Sequence, residues 1–522
     1  MLSRFGKYIL CLLLCGFLLV YCPTDAKAAD IVEAENISGQ SVIAEQKGFK
    51  NLGSLFNKKN NGGNRSESNA WMVLEHEAGI GSLYFQFTER NERMTITDMD
   101  SGETRETSAA AFLHEYVDLV ELFGKAPGSV KVEFGQDPVW LTELSVFTEG
   151  EVPDSVQKWN DPADGRADLL ILSAHGDDDQ IFFGGIIPYY IVHKGYEVQV
   201  VYVCDHHNFE LHRVHEMLDS LWAVGTRTYP VFGDFPDYEF KTPEQYISHY
   251  GKIDFAYNYY KSKGIAKEDL VGFVVEQLRR FKPKVAVTHD FAGEYGHSQH
   301  MVCAEIMTEA VQISMDPEKY PEQLEKYEVW DVPKTYIHLY EENPIVINLD
   351  ESLDCFGGLS AYRVSKEIGL PLHKSQYKAV SHYMKSKTAA DMRYSPSYHG
   401  LYRSTVGEDV QKDDFFENVL THAQQAQKEE EERLAEEARL AEEARLAEEA
   451  RKAEEARLAE EARKAEEARL AEEARKAEEA RLAAERLAQL EKERKTRLAL
   501  AGGCAGVLVV LLLILLIIRK KR

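Results

Sequence analysis

The chain has 522 residues and a formal net charge of −26, of which −27 falls between Ala29 and Gln427. Such an acidic surface repels polyanions, so nucleic acid is excluded as a main partner and a neutral or cationic substrate is favoured. Seven cysteines, three of them in the first 28 residues, make no disulfide framework, so the globular part has to be held by an ordinary core.

At the N-terminus, Arg4 and Lys7 precede an apolar run from Tyr8 to Tyr21 and the small-residue site Ala26-Lys27-Ala28. This is the layout of a secretory signal over 1–28, which would be removed from the mature protein. Between residues 29 and 155, β-rich runs at Ser82 to Thr88, Met94 to Thr97, Val130 to Phe134 and Val139 to Thr148 are separated by Gly, Asn and Asp turns. They predict a small β-sandwich, with Asn57 to Asn64 as a polar loop. It carries no chemistry of its own; it is an accessory glycan-binding module or a packing domain. A boundary is expected near Glu151 to Asp164, where Pro153, Pro162 and acidic residues interrupt the pattern.

From residue 160 to 427 the pattern becomes α/β. Ala167 to Ala174 is the near-continuous apolar run of a parallel strand covered on both faces. A helix from about Gln180 to His193, a strand at Glu197 to Cys204, a helix at Leu211 to Val224, a strand at Tyr229 to Phe232, a helix at Glu268 to Phe281 and a strand at Lys284 to Thr288 follow. This order predicts a doubly wound, mostly parallel, Rossmann-like sheet, in which ligands collect beyond the carboxyl ends of the strands.

Two motifs fall at such ends: Ala174-His175-Gly176-Asp177-Asp178-Asp179 and Gly293-Glu294-Tyr295-Gly296-His297-Ser298-Gln299-His300. His175 and Asp178, at i and i+3 on a tight turn, can converge on one ion, with His300 arriving from a later strand. Two histidines and a carboxylate leave open positions, as a catalytic metal requires. Zinc is the default ion and iron(II) suits the same ligands. Asp177 is placed to take a proton from water, His297 to protonate a leaving group or support an oxyanion, and Tyr295 to add a phenolic donor. Alone, an acidic triplet is usually a solvated turn and His-x-x-His a surface pair; their pairing at two strand ends of one sheet carries the functional reading.

These motifs resemble those of the zinc-dependent N-acetylglucosaminyl de-N-acetylases, the PIG-L or LmbE-like family, in which the first reads Ala-His-Pro-Asp-Asp-Glu and the second ends Gly-His-Pro-Asp-His. The resemblance spans Ala167 to His300 and extends towards Phe416. It implies His175, Asp178 and His300 as metal ligands, Asp177 as general base, and His297 with Tyr295 on the tetrahedral intermediate. It further implies that Arg213, in an Arg-x-x-Glu pair with Glu216, contacts substrate, and that Asp237 lies near the sugar. The chain departs from the pattern at Gly176, Asp179, Ser298 and Gln299. Gly176 is expected to loosen the turn that holds His175 and Asp178, because glycine has more backbone freedom to lose.

From Arg433 the chain repeats Arg-Leu-Ala-Glu-Glu-Ala and Arg-Lys-Ala-Glu-Glu-Ala, predicting a charged helical stalk over 428–497. Six residues turn a helix through about 600°, so Leu434, Leu440 and Leu446 point in different directions and form no coiled-coil seam. Charge pairs along one helix supply the stability instead. Residues 498–518 are apolar and precede Arg519-Lys520-Lys521-Arg522, predicting one membrane helix with a short basic cytoplasmic tail. The expected protein is a surface enzyme, anchored by that helix, that deacetylates an N-acetylglucosamine-type sugar or glycoconjugate. The alternative is a stalked glycan-binding protein without turnover.

Overall fold

Leu169 to Ser173 are all buried, and alternate side chains feed two different cores. Leu169 and Ile171 face one that includes Met217, Leu218 and Leu221, whereas Leu170 and Leu172 face one that includes Val271, Val274, Leu278, Val302 and Ile306. A strand apolar on both faces has to be covered on both, as the run predicted. The computed structural model describes residues 32–520 apart from 60–63, 90–92, 108–111, 163–164, 206–210 and 239–241. The expected signal at 1–28 lies outside the described residues.

This strand, β10, lies inside a seven-stranded sheet formed with β11 (Val198–Asp205), β12 (Val231–Pro236), β13 (Val285–Thr288), β14 (Lys334–His338), β15 (Pro344–Val346) and β16 (Tyr398–Ser404). The order is β12-β11-β10-β13-β14-β16-β15. The first five strands are mutually parallel, and β16 is antiparallel to both β14 and β15. Pro236 is tolerated because β12 is an edge strand. Helix α1 (Leu211–Ala223) supplies Met217, Leu218 and Leu221 to one face, and α3 (Lys267–Phe281) and α4 (Ser298–Ile313) pack on the other beside α2 (Ile253–Ser262). The chain leaves β10 for β11 and β12, then crosses back to β13 on the other side of β10. That reversal opens a crevice beyond the carboxyl ends of β10 and β13.

The helix expected at Gln180 to His193 is broken into Asp178–Ile181, Ile186–Pro188 and a π turn at Tyr189–His193. Gly185 has φ +95°, and a Cβ there would meet the Tyr362 backbone nitrogen at 2.9 Å. The close passage of the 361–365 segment therefore sets the break.

Before this sheet stand two antiparallel sheets, one of order β1-β3-β8-β5-β6 and one of order β2-β9-β4-β7. Their strands are β1 (Ile43–Lys47), β2 (Asn64–Arg65), β3 (Trp71–Glu75), β4 (Ser82–Phe87), β5 (Thr95–Asp98), β6 (Thr104–Glu106), β7 (His114–Asp118), β8 (Ser129–Glu133) and β9 (Trp140–Phe147). Phe85 and Phe87 of β4 meet Phe134 at the end of β8, at 6.0 and 6.4 Å between ring centres. The buried residues of these sheets run without interruption into those of the seven-stranded sheet. The join is specific: Phe112 stacks on Tyr229 at 4.7 Å, the Leu113 N–H donates to the Tyr229 hydroxyl at 3.1 Å, and His114 Nε2 meets Nδ1 of His215 on α1 at 2.7 Å. His114 Nδ1 is in turn 2.8 Å from the Tyr84 hydroxyl.

Glu115 is buried at this join and accepts from the Phe112 N–H. Burial pushes its carboxyl up from 4.5 to about 7, with Asp161 adding to the rise and the Phe112 N–H opposing it. Between those values the folded chain keeps a proton that the unfolded chain has lost, so stability falls as pH rises through the window. Relative to Glu115→Gln, wild type is expected to lose up to about 3 kcal/mol between pH 4 and pH 8. Urea unfolding of both proteins at the two pH values checks this.

The C-terminal unit is one helix, α5 (His422–Arg519). Leu434, Leu440, Leu446, Leu458 and Leu470 are all about half exposed, at 50–53%. Arg433, Arg439 and Arg445 each bridge back to a glutamate at i−3 and forward to one at i+4, and Lys452, Lys464 and Lys476 each pair with a glutamate four residues earlier. Each such pair is a small, salt-screened contribution, repeated along the helix. By length and composition this helix contains a stretch able to cross a membrane.

Candidate active site

The first motif turns sharply off β10. The His175 backbone N–H donates to Asp178 Oδ2 at 2.9 Å, and the Ser173 hydroxyl donates to the His175 carbonyl at 2.9 Å. The Asp178 carboxylate thus closes its own turn. Gly176, expected to loosen that turn, has a steric reason to be glycine: a Cβ would meet Met217 Sδ of α1 at 2.3 Å, and Met217 is fully buried. Gly176→Ala is expected to cost about 1–3 kcal/mol through overpacking. The same change in a Met217→Ala background should be nearly neutral, a coupling that a double-mutant cycle in thermal unfolding reads directly.

The second motif follows β13 and turns through three positions of positive φ near its start and centre. Gly293 has φ +65°, Tyr295 +52° and Gly296 +81°. Tyr295 is the strained one, since only its side chain makes that conformation costly. The turn delivers His297 just ahead of α4 and His300 into its first turn.

The two motifs meet. His175 Nδ1 lies 2.9 Å from Asp178 Oδ2 and 3.2 Å from His300 Nε2, and His300 Nε2 lies 3.2 Å from Asp178 Oδ2. Donors at 2.0–2.1 Å from a tetrahedral zinc are about 3.3 Å apart, so this triangle fits an ion of that size. All three residues are buried. His297 offers a further nitrogen: its ligand atom lies within 4.8 Å of those of His175 and His300. Its Nδ1 is buried with no hydrogen-bond partner among the described residues.

The electrostatics are those of a site that favours positive charge. Burial works to raise the Asp178 carboxyl, but His300 and His175 beside it hold it well below the usual range. Burial works to lower His300, yet Asp178 and Glu294 bring it up to about 9.

Glu294 is the part of the site that the sequence did not resolve. It is wholly buried and receives three imidazoles: His300 Nδ1 at 2.7 Å, His289 Nδ1 at 2.9 Å and His338 Nδ1 at 2.5 Å. Donating Nδ1–H to Glu294 turns the lone pair of His300 Nε2 towards the ligand triangle. His289 Nε2 accepts the Ala174 N–H at 3.0 Å, so this ring braces β10 against Glu294, and its Nε2 is 3.6 Å from Asp178 Oδ2. His338, at the end of β14, has its Nε2 2.9 Å from the Ser395 carbonyl, so both its nitrogens face acceptors. His289 directly follows β13, a position that marks it in the sequence; His338 carries no local signal.

Asp177, expected to be the base, is buried with Arg213 Nη2 3.2 Å from its Oδ1. Burial raises its carboxyl, Arg213 opposes the rise and Asp178 adds to it. Arg213, expected at the substrate, is bonded to Asp177. Glu216 does not pair with it; its carboxylate accepts from the backbone N–H and hydroxyl of Ser375. That bond ties α1 to the segment carrying Gln376, Ala379, Val380 and Tyr383, one wall of an open cleft of about 300 Å³. His175, Asp177, Asp178, Tyr295 and His297 line the cleft floor, with Tyr238 and Asp237 opposite. Tyr295 stacks on Tyr383 at 5.1 Å. Asp237, expected near the sugar, has Oδ2 3.6 Å from His175 Nε2, where it can also orient that ring. Asp179, which stands where the family has Glu, is buried and bonded to Gln180 Nε2 at 2.7 Å, turned away from the cleft lining.

Residues 170–311 match the family model described as GlcNAc-PI de-N-acetylase, PIG-L, and residues 412–505 match one described as CG45076 Coiled-coil. Among curated proteins, 1D-myo-inositol 2-acetamido-2-deoxy-alpha-D-glucopyranoside deacetylase 2 of Saccharopolyspora erythraea is 39% identical over 70 residues, 13% of this chain and 24% of that protein. Deacetylase 1 of the same description from Catenulispora acidiphila is 33% identical over 69 residues, 13% of this chain and 20% of that protein. The matched stretch thus spans a quarter or less of either relative. Among solved structures, N,N'-diacetylchitobiose deacetylase from Pyrococcus horikoshii is 16% identical, covering 44% of this chain and 83% of that one at a TM-score of 0.30. The part of the chain that carries both motifs resembles the PIG-L family.

Proposed function

We propose that the chain is a metal-dependent hydrolase that removes the acetyl group from an N-acetylglucosamine-type sugar. The observation that supports it most is the triangle of His175, Asp178 and the fully buried His300, of which His175 and Asp178 line an open cleft together with Asp177 and His297. A divalent ion there, zinc or iron(II), would polarise the amide carbonyl and make water more acidic. Asp177 takes a proton from the attacking water, with Arg213 fixing its carboxylate. His297, whose Nδ1 has no protein partner among the described residues, hydrogen-bonds the developing oxyanion or hands a proton to the departing amine. Tyr295 supports the acyl side of the cleft, and Arg213 and Asp237 hold sugar hydroxyls at its mouth.

The activity is tested by restoring zinc or iron(II) to chelator-treated protein and screening N-acetylated sugars, N,N′-diacetylchitobiose among them, for new primary amine. Stoichiometric metal without turnover on any of them would favour the glycan-binding alternative.

The globular part is read as extracellular, carried by the charged segment 428–497 as a spacer roughly 100 Å long at 1.5 Å per residue. The apolar segment 498–518 anchors it. A peptide of 428–497 should be helical by circular dichroism and monomeric by sedimentation; a coil spectrum would remove the spacer.

A further inference from the structure

Cys204 takes no part in the proposed reaction, yet it lies against the ligand turn. Its backbone N–H donates to the Ala174 carbonyl at 3.1 Å, which puts the end of β11 beside the residue preceding His175. The thiol is fully buried, and the ligand atoms of Cys204, His175 and Asp237 lie within 4.8 Å of one another. Asp237 Oδ2 is 3.6 Å from His175 Nε2. The two nitrogens of the His175 ring therefore serve two donor sets: Nδ1 faces Asp178 and His300, and Nε2 faces Asp237, beside which the Cys204 thiol completes a second group.

A neutral imidazole has one lone pair. It can give that pair to an ion on one face only, with the other nitrogen carrying the proton. The Asp178 and His300 face has nitrogen and oxygen donors alone, whereas the other adds a sulfur, which soft ions prefer.

We infer that Cys204, His175 Nε2 and Asp237 form a second, thiophilic metal site, which inhibits the enzyme because filling it takes His175 from the first. Binding releases the Cys204 thiol proton to solvent and moves the ring proton of His175 from Nε2 to Nδ1, so that the bond from Nδ1 to the first ion breaks as bonds from the second ion to Sγ and Nε2 form. The ion is a soft divalent cation such as cadmium, or zinc in excess over one equivalent. His175 and Asp237 line the same cleft, so the ion enters by the substrate's path.

The inhibitory role rests on the hydrolase reading; the site itself does not, so two readouts keep them apart. Cadmium is titrated into metal-free full-length protein in detergent, following the ultraviolet thiolate-to-cadmium charge-transfer band. Wild type should develop the band at one equivalent, Cys204→Ser and Cys204→Ala should lack it, and Cys355→Ser should retain it. Asp237→Asn should weaken cadmium binding while keeping the band. With zinc-loaded protein, inhibition of amine release by cadmium should need a concentration higher by a factor of about 10 or more in Cys204→Ser. A band that persists in both Cys204 variants overturns the site. A band that disappears with unchanged cadmium sensitivity overturns the inhibition. Absence of amine release from every form, with the band behaving as expected, overturns only the hydrolase reading.

Discussion

Asp177→Asn is expected to lower turnover by about 10²–10⁴ while leaving one metal bound per chain. The substitution keeps an oxygen for Arg213 Nη2 to reach but removes the basic carboxylate, so the loss should appear in kcat. Metal content, measured on the same preparation, separates this from damage to the ligand triangle, since Asp177 itself lies outside it. Arg213→Gln should lose both fixation of the base and a sugar contact, and so raise KM as well as lower kcat. If Asp177→Asn turned over at the wild-type rate with metal in place, the proton would be going elsewhere, and His297 would be the next candidate.

Glu294→Gln is expected to weaken metal binding by about 10–100-fold, although Glu294 is not a ligand. Three histidines direct nitrogens at this carboxylate, and an amide cannot accept from all of them with its NH2 end. His300 would lose the hydrogen bond that fixes its ring and tautomer. Burial works to raise the Glu294 carboxyl, but the three histidines hold it well below the usual range, so the charge is built into the fold. Competition against a chelator measures the affinity. Glu294→Asp, which keeps the charge and shortens the reach, should fall between wild type and Glu294→Gln. The d–d spectrum of the cobalt-substituted protein should shift in Glu294→Gln, which a purely structural loss elsewhere would not cause.

The sequence was most legible where the physics is local. The near-continuous apolar run at Ala167 to Ala174 marked a strand covered on both faces, observed at Leu169 to Ser173, and the residues that follow it close a tight turn. His300 joined His175 and Asp178 because two strand ends of one parallel sheet must open on the same side. Long-range partners were not visible. Nothing in the spacing announces that His338, at the end of β14, reaches Glu294, or that Cys204, at the end of β11, comes to lie beside His175. The cleft wall at Gln376 to Tyr383 is placed by Glu216 bonding Ser375 across 159 residues, which no pattern along the chain encodes. Gly176 showed the opposite difficulty. Read alone, a glycine suggests looseness; its cause is a methionine on another helix. The break near Gly185 was hidden because apolar periodicity continues through it, while the backbone is set by the passing segment at Tyr362.

The most direct test of the account is acetate and primary amine, measured together from one N-acetylated sugar incubated with chelator-treated full-length protein to which one equivalent of metal is returned. Wild type should give equal amounts of both products and none before metal is added, and His300→Ala should give little or none. Equal product release from wild type and His300→Ala, or release that persists without metal, would contradict it.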